Sequence, residues 1–220
     1  MHGLSFEVAN TLAGLLVLVS FLMIYQDRLP ALLNVLGLHA FILALAVVWQ
    51  AYVQDAPSLY VTAAIALGFK AALIPTVLQR IVVRLGIHRE IEAVTGTGLT
   101  MLAGMGLVAL SLELMLPVTT HADPVTREDI ALALSVVLIG LMMMVTRRNA
   151  VSQVAAFLSM ENGIDLAAAG ARGMPFVVEI SIAFSVLVAF LVIGIFLFRI
   201  RERFDTVNIH ALDQFRGERR

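Results

Sequence analysis

The chain has 220 residues, of which 60% are hydrophobic and 14% are charged, with a formal net charge of −1. A soluble domain of this size carries about 25% charged residues, and it could not bury this much apolar surface, whereas a lipid bilayer can solvate it. The composition therefore excludes a soluble enzyme and predicts an integral membrane protein.

The sequence contains no cysteine, which excludes iron–sulfur ligation, disulfides and thiol catalysis within the chain. Its five histidines show no paired spacing typical of haem or zinc ligands.

The first apolar stretch is expected to remain in the protein as a transmembrane helix. The sequence Met1–Ser5 has no basic residue, and no small-x-small cleavage site follows the apolar stretch. A cleavable signal peptide is therefore not predicted.

Seven stretches are long and apolar enough to cross the bilayer, since a helix needs about 20 apolar residues to span about 30 Å of hydrocarbon. Short loops rich in Asp, Pro and Gly separate them. The fold class predicted is an all-α membrane bundle of seven transmembrane helices. The predicted helices are Val8–Tyr25, Leu29–Tyr52, Leu59–Val83, Gly98–Leu116, Ile130–Val145, Ala150–Ala169 and Phe176–Phe198.

The distribution of arginine predicts the orientation. With the N-terminus outside, twelve arginines fall in the inner loops and tail, and only Arg127 and Arg172 fall outside. Cytoplasmic loops are enriched in basic residues, so we expect a multi-pass protein of the cell inner (cytoplasmic) membrane with a cytoplasmic C-terminus. The basic tail is expected to bind anionic lipid or to dock a cytoplasmic partner. The twelve are Arg28, Arg80, Arg84, Arg89, Arg147, Arg148, Arg199, Arg201, Arg203, Arg216, Arg219 and Arg220.

Three titratable residues are predicted to lie near the bilayer midplane. At 1.5 Å per residue, Glu161 and Lys70 lie about 17 Å, and His39 about 15 Å, from the ends of their helices. Charged groups at this depth are costly and usually functional, so we expect a proton relay across the bundle. The alternatives are a static Glu161–Lys70 pair that only fixes helix packing and a neutral His39 that bonds a backbone carbonyl. Gly68 and Pro75 can break the third helix beside Lys70, as happens next to ion pathways, although ordinary kinks are as common.

Three further carboxylates are candidates for the same relay. Asp165 lies one turn beyond Glu161 on the same helix face and would extend a polar stripe toward the outer surface. Glu113 ends the fourth helix and Glu179 begins the seventh, so both are expected near the outer side as a proton outlet. The alternative for Glu113 and Glu179 is an interfacial carboxylate in contact with water.

The sequence divides into four segments. Residues 1–97 hold three helices, residues 98–129 hold a connecting helix and an outer loop, residues 130–204 hold a second three-helix unit, and residues 205–220 form the tail. The two three-helix units have similar outlines, although their residue identity is poor. Repeated halves with sites at the midplane recur in transporters.

Three motifs in the second half resemble the E subunit of hydrogenase-4, a membrane component of formate hydrogenlyase-type [NiFe]-hydrogenase complexes. They are Arg147–Asn149, Phe157–Gly163 and Gly173–Glu179. The resemblance covers the whole chain in length and helix number, and it is strongest over residues 146–215. It implies a subunit without a redox centre in a larger complex.

The last three predicted helices are also similar to the K-type small membrane subunit of respiratory complex I and to the C subunit of Mrp-type antiporters. The element Ser159–Glu161 after an arginine-rich turn and the tail sequence Val207–Leu212 carry this resemblance. It implies that Glu161 is a proton-channel carboxylate. The family's second carboxylate has no counterpart near Ser185, and the nearest acid, Glu179, lies almost two turns away. The resemblance thus leaves Lys70 or Asp165 to replace the missing group.

The sequence favours a non-redox membrane subunit of a complex I-related hydrogenase-type complex that relays protons through buried charges. It predicts no catalytic centre, metal or cofactor in this chain. Partner subunits are expected to carry the iron–sulfur clusters and the NiFe centre. The expected partners are antiporter-like and quinone-subunit-like membrane subunits, a cytoplasmic hydrogenase module and lipid, but no nucleic acid. The alternatives are a subunit of an Mrp-like antiporter or a stand-alone secondary transporter, and a purely structural assembly subunit.

Overall fold

The structure, a computed structural model, describes residues 2–84, 91, 95–118, 124–170 and 194. The described part is helical throughout and contains no β-strand. All of it except Gly194 belongs to one compact unit. Its elements are α1 (His2–Tyr25), α2 (Leu29–Gln54), α3 (Pro57–Ile65), a π-helical segment π1 (Ala66–Leu73), α4 (Ile74–Arg84), α5 (Thr97–Val118), α6 (Pro124–Thr146) and α7 (Ala150–Gly170).

The predicted all-α class and the apolar character of the helices are confirmed. Five of the described helical stretches are long and apolar enough to cross a membrane: Glu7–Tyr25, Leu29–Gln54, Pro57–Val83, Thr97–Met115 and Asp129–Thr146. They correspond to the first five predicted helices. The total of seven spans and the orientation of the termini stay predictions.

The sixth predicted helix is present as α7, although it is not among the five most apolar stretches. Its 21 residues extend over about 31 Å. More than half of them are buried, and these include Glu161, Asn162 and Asp165. Because α7 packs against α6 and α2, its polar residues lie inside the bundle. The seventh predicted helix, Phe176–Phe198, lies outside the described residues except for Gly194.

The connection between α2 and α3 is a tight reversal of two residues. Asp55 has φ 52° and ψ 43°, and its backbone N–H donates to the carbonyl of Ala51 to close the last turn of α2. Aspartate is one of the few residues that adopts this left-handed conformation at low cost. Pro57 then starts α3, where its missing N–H would have no helical partner in any case. The Asp55 turn therefore marks one end of the bundle, opposite to Arg147.

Glycines bring α6 and α7 into close backbone contact. A Cβ atom at Gly140 of α6 would lie 2.8 Å from the backbone nitrogen of Met160, and one at Gly163 of α7 would lie 2.9 Å from the backbone nitrogen of Val137. Neither position can hold a larger side chain unless the two helices separate. This contact fixes α7 beside α6 and so determines where Glu161 and Asp165 lie.

Arg147 attaches the α6–α7 turn to the end of α1. The side chain is buried, and its Nη2 donates to the carbonyl oxygens of Ile24 at 2.7 Å and Met23 at 3.3 Å. The last carbonyls of a helix lack helical partners and carry partial negative charge, so a guanidinium stabilises them. Burial lowers the pKa of Arg147, and the negative charge of Asp27 opposes that shift.

We predict that Arg147→Gln destabilises the protein by about 1–3 kcal/mol, because it leaves buried carbonyl oxygens without their charged donor. The matched control is Arg148→Gln, since Arg148 is the next residue and is exposed. Thermal unfolding in detergent should show a lower Tm for the first variant only. Equal Tm values for the two variants would show that the bonds from Arg147 to Ile24 and Met23 do not stabilise the protein.

We further predict that Gly163→Ala lowers the Tm, since the new Cβ meets backbone atoms of α6. The control is Gly106→Ala in α5, where nothing lies within 4 Å of the added Cβ. Alanine favours a helix over glycine by about 1 kcal/mol, so the control should keep or raise the Tm. A Gly163→Ala variant as stable as the Gly106→Ala variant would show that α6 and α7 can separate without cost.

Candidate functional site

The candidate site is an ion cluster formed by Lys70, Glu161 and Asp165, here named the Lys70 triad. The Nζ atom of Lys70 lies 2.8 Å from Oε1 of Glu161 and 2.5 Å from Oδ2 of Asp165. At most 5% of any of the three side chains is exposed. Lys70 and Glu161, for which the sequence predicted one depth, are therefore in direct contact, and Asp165 is a second partner of Lys70.

The π-helical segment positions Lys70. In π1 the backbone bonds span five residues, as in the bond from the N–H of Ile74 to the carbonyl of Phe69. Pro75, just after this segment, has no N–H to donate to the carbonyl of Ala71 four residues earlier, which removes one bond of a regular α-helix. The predicted break near Lys70 is thus present as a π-helix, a feature that occurs frequently at functional sites.

A glycine on α2 allows that helix to lie close to π1. A Cβ atom at Gly37 would lie 3.0 Å from the carbonyl oxygen of Ala71 and 3.6 Å from Cγ of Pro75. Both atoms belong to the segment around Lys70. The absence of a side chain at Gly37 therefore permits the close packing of α2 against the part of the chain that carries Lys70.

The two carboxylates of the triad lie on one face of α7. Glu161 and Asp165 are four residues apart, a spacing at which two like charges on a helix repel each other. The ammonium group of Lys70 lies within ion-pair distance of both and offsets this repulsion. With all three groups ionised the triad would carry one net negative charge. One additional proton makes it neutral.

His39 lies in a hydrogen-bonded chain beside the triad. The side-chain amide nitrogen of Asn162 lies 2.9 Å from Nδ1 of His39, and Nε2 of His39 lies 3.0 Å from Oγ of Ser20. Ser20 itself donates to the carbonyl of Leu16 at 3.0 Å. An amide NH₂ can only donate, so the directions are consistent when Nδ1 accepts, Nε2 donates to Ser20, and the ring is neutral.

The histidine thus joins the triad through the neighbouring residue on α7 and not by direct contact. Both of its ring nitrogens are bonded to other groups, and Asn162 follows Glu161 in the chain. The alternative of a direct bond from a neutral His39 to a backbone carbonyl is replaced by a bond through the hydroxyl of Ser20.

Several buried polar atoms near the site have hydrogen-bonding capacity that the described residues do not use. Glu161 Oε2, Asn162 Oδ1 and Ser159 Oγ on α7 and Thr62 Oγ1 on α3 have no hydrogen-bond partner. Buried polar atoms are nearly always bonded to protein or to water. Three of these atoms lie within one helical turn of one another along α7. Each offers a position at which water can bind.

Glu113 does not join the triad. It is exposed on α5, a helix that packs against α6 and α1. This agrees with the alternative of a carboxylate at the surface of the bundle. Glu179 lies outside the described residues. Among those residues, no group of three His, Cys, Asp or Glu side chains is arranged to hold a metal ion.

One buried carboxylate was not predicted from the sequence. Asp129 is almost completely buried, and its Oδ2 accepts a 2.6 Å hydrogen bond from Nε2 of Gln50. The sequence placed the start of the fifth helix at Ile130, or nearer Arg127 because that helix is short, and it did not single out Asp129. In the structure α6 begins at Pro124. A proline at the first helical position is the signal that would have indicated this earlier start.

Comparison with known proteins gives a relative that is similar over nearly its whole length. The chain is 31% identical over 206 residues to the uncharacterized protein Rv0085 of Mycobacterium tuberculosis (strain ATCC 25618 / H37Rv), with 93% of this chain and 94% of the relative covered. The chain belongs to the family of this mycobacterial protein. No family model matches the sequence, and no solved structure matches it. Because the match covers nearly the full length of both chains, it extends over both helical segments that carry the triad, π1 and α7.

We predict that Lys70→Met destabilises the protein more than the double variant Lys70→Met/Glu161→Gln does. The single change leaves two neighbouring buried carboxylates without their cation, and such a change typically costs about 3–5 kcal/mol. Removing one carboxylate as well relieves part of that cost. The Tm of the full-length chain in detergent tests this, and a double variant less stable than the single one would contradict the shared charge balance.

Proposed function

We propose that this chain is a membrane subunit without a redox centre in a complex I-related, hydrogenase-type oxidoreductase complex, and that it relays protons through the Lys70 triad. The observation that carries the proposal is the position of the Lys70 ammonium group between two buried carboxylates. One lysine and one carboxylate already balance in charge. A second buried carboxylate beside them is neutral only when it carries a proton, and that proton can occupy either acid.

The geometry supports exchange of this proton. Glu161 Oε1 and Asp165 Oδ2 contact the same Nζ atom, so the Lys70 ammonium can stabilise whichever carboxylate is ionised. A proton can then move from one acid to the other while the triad stays neutral. Oε2 of Glu161 has no hydrogen-bond partner in the described structure, so the proton can reach a bound water from that atom.

The resemblance to the E subunit of hydrogenase-4 supports the rest of the proposal. The similarity to the K-type subunit of complex I implies that Glu161 is a channel carboxylate, and the triad gives that residue a partner on another helix. In this proposal the chain lies in the cell inner membrane with seven spans and its N-terminus outside. It contacts antiporter-like and quinone-subunit-like membrane subunits. A cytoplasmic hydrogenase module with iron–sulfur clusters and a NiFe centre supplies the electrons.

Purification of the intact complex, followed by identification of its subunits, tests the choice of complex. Hydrogenase large and small subunits among the partners would support the proposal. Antiporter subunits alone, together with sodium-dependent ion movement in vesicles, would instead indicate an Mrp-like or stand-alone transporter.

We predict that Glu161→Gln abolishes proton translocation in sealed membrane vesicles that contain the complex. The variant keeps Lys70 paired with Asp165 and so keeps the charge balance of the buried site, but it removes one of the two proton acceptors. A pH-sensitive dye reports translocation, and hydrogen evolution or uptake reports electron transfer in the same vesicles.

The matched control is Glu113→Gln, the same substitution at an exposed carboxylate outside the triad, which should leave translocation unchanged. If Glu161→Gln has wild-type translocation and electron transfer, the relay role is wrong. A purely structural subunit would then be indicated, above all if joint neutralisation of Lys70 and Glu161 also left activity intact.

A further inference from the structure

A second buried polar cluster lies toward the Asp55 end of the bundle. Asp129 of α6 accepts from Nε2 of Gln50 of α2 at 2.6 Å. Gln54, one turn further along α2, donates from Nε2 to Oε1 of Gln50 at 3.1 Å and to the carbonyl of Ala169 of α7 at 2.7 Å. Helices α2, α6 and α7 thus meet at this cluster, as α2, π1 and α7 meet near the triad.

Glycine makes this meeting possible on α7. A Cβ atom at Gly170 would lie 3.3 Å from Cβ of Asp129 and 3.5 Å from its Oδ2. The backbone of α7 therefore passes directly beside the carboxylate. Gly170 is five residues beyond Asp165, so the level of Asp129 lies about 7.5 Å along the helix from the triad.

We infer that Asp129 is a second proton-carrying carboxylate of this chain, located between the Lys70 triad and the surface at the Asp55 end. This inference rests on the proposed function and assigns the next step of the same relay. Asp129 is buried like the triad, whereas Gln54 at the other end of the cluster is only half-buried. The cluster therefore extends from the interior toward the surface at the Asp55 end of the bundle.

The hydrogen bond from Gln50 to Asp129 is compatible with both protonation states of the carboxyl group. The amide N–H of Gln50 donates equally to a carboxylate oxygen and to the carbonyl oxygen of a carboxylic acid. Asp129 can thus change its protonation state without losing this bond. Lys70 differs from Gln50 in this respect, because its ammonium group binds an ionised carboxylate more strongly than a protonated one.

The half of the bundle toward the Asp55 end also contains a buried hydroxyl able to bind water. Thr62, on the part of α3 between Lys70 and the Asp55 turn, is fully buried, and its Oγ1 has no hydrogen-bond partner in the described structure. A separation of about 7.5 Å along the helix is one that a short chain of bound waters spans, since a buried water typically makes about three hydrogen bonds.

The test is Asp129→Asn in the intact complex, measured beside Glu161→Gln. Asparagine keeps an oxygen that accepts from Gln50 and has the same size, so the fold and hydrogenase-linked electron transfer should be retained. Proton translocation in sealed vesicles should be lost. The variant Asp129→Glu, which restores a carboxylate, should recover translocation at least in part.

Infrared difference spectra provide a readout that a structural role would not change. Between the reduced and oxidised complex, a carboxylic acid C=O band that shifts in D₂O should be present in the wild type and absent from Asp129→Asn. Loss of both translocation and this band would support the inference.

The outcomes separate the two proposals. Wild-type translocation in Asp129→Asn, with loss in Glu161→Gln, would overturn the role of Asp129 and leave the triad relay intact. Wild-type translocation in both variants would overturn the relay itself. Loss of translocation in Asp129→Asn without recovery in Asp129→Glu and without a change in the infrared band would show a positioning role only, and would also overturn the inference.

Discussion

The contact of the Lys70 ammonium group with the carboxylates of Glu161 and Asp165 is the interaction on which the bundle centre depends. Three buried ionisable groups in an apolar surrounding are stable only while their charges offset one another. The surrounding structure brings the lysine helix and the carboxylate helix to the required distance. The π-helix sets the position of Lys70. The glycine contacts between α6 and α7 set the position of α7. The hydrogen bonds of Arg147 hold the α6–α7 turn against α1.

Polar residues continue from this centre along two branches. One branch runs across the helices from Asn162 of α7 to His39 of α2 and Ser20 of α1, and it ends at a backbone carbonyl. Toward the Asp55 end, Gly170 leads to Asp129 and its glutamine partner. The first branch contains one titratable ring with both nitrogens engaged, whereas the second contains a carboxylate. The two branches are therefore chemically unequal, and only the second provides a further acid for a proton that leaves the triad.

The level of a residue along a helix follows directly from a residue count. Lys70 and Glu161 were placed at one level in this way, and they form an ion pair. Rotation about the helix axis was harder to predict, so the contact of Asp165 with Lys70 and the separate bonds of His39 were not foreseen. Gly68 and Pro75 indicated a break in the third helix but not its π-helical form. Asp129 was missed because the apolar pattern does not show a helix start that is polar yet buried; only the position of Pro124 could have shown it.

In the proposed relay, charge balance also explains how the triad would pass protons without an open channel. The triad is neutral when Lys70 is charged, one carboxylate is ionised and the other carries a proton. Arrival of a second proton makes the triad positive, and departure of the first makes it negative, and a net charge in this apolar environment is costly in either case. Entry of a proton from one side therefore favours departure of a proton toward the other side. In the proposed complex, a partner whose own charge changes near Lys70 would shift this balance, and electron transfer in that partner would in this way drive protons through the triad.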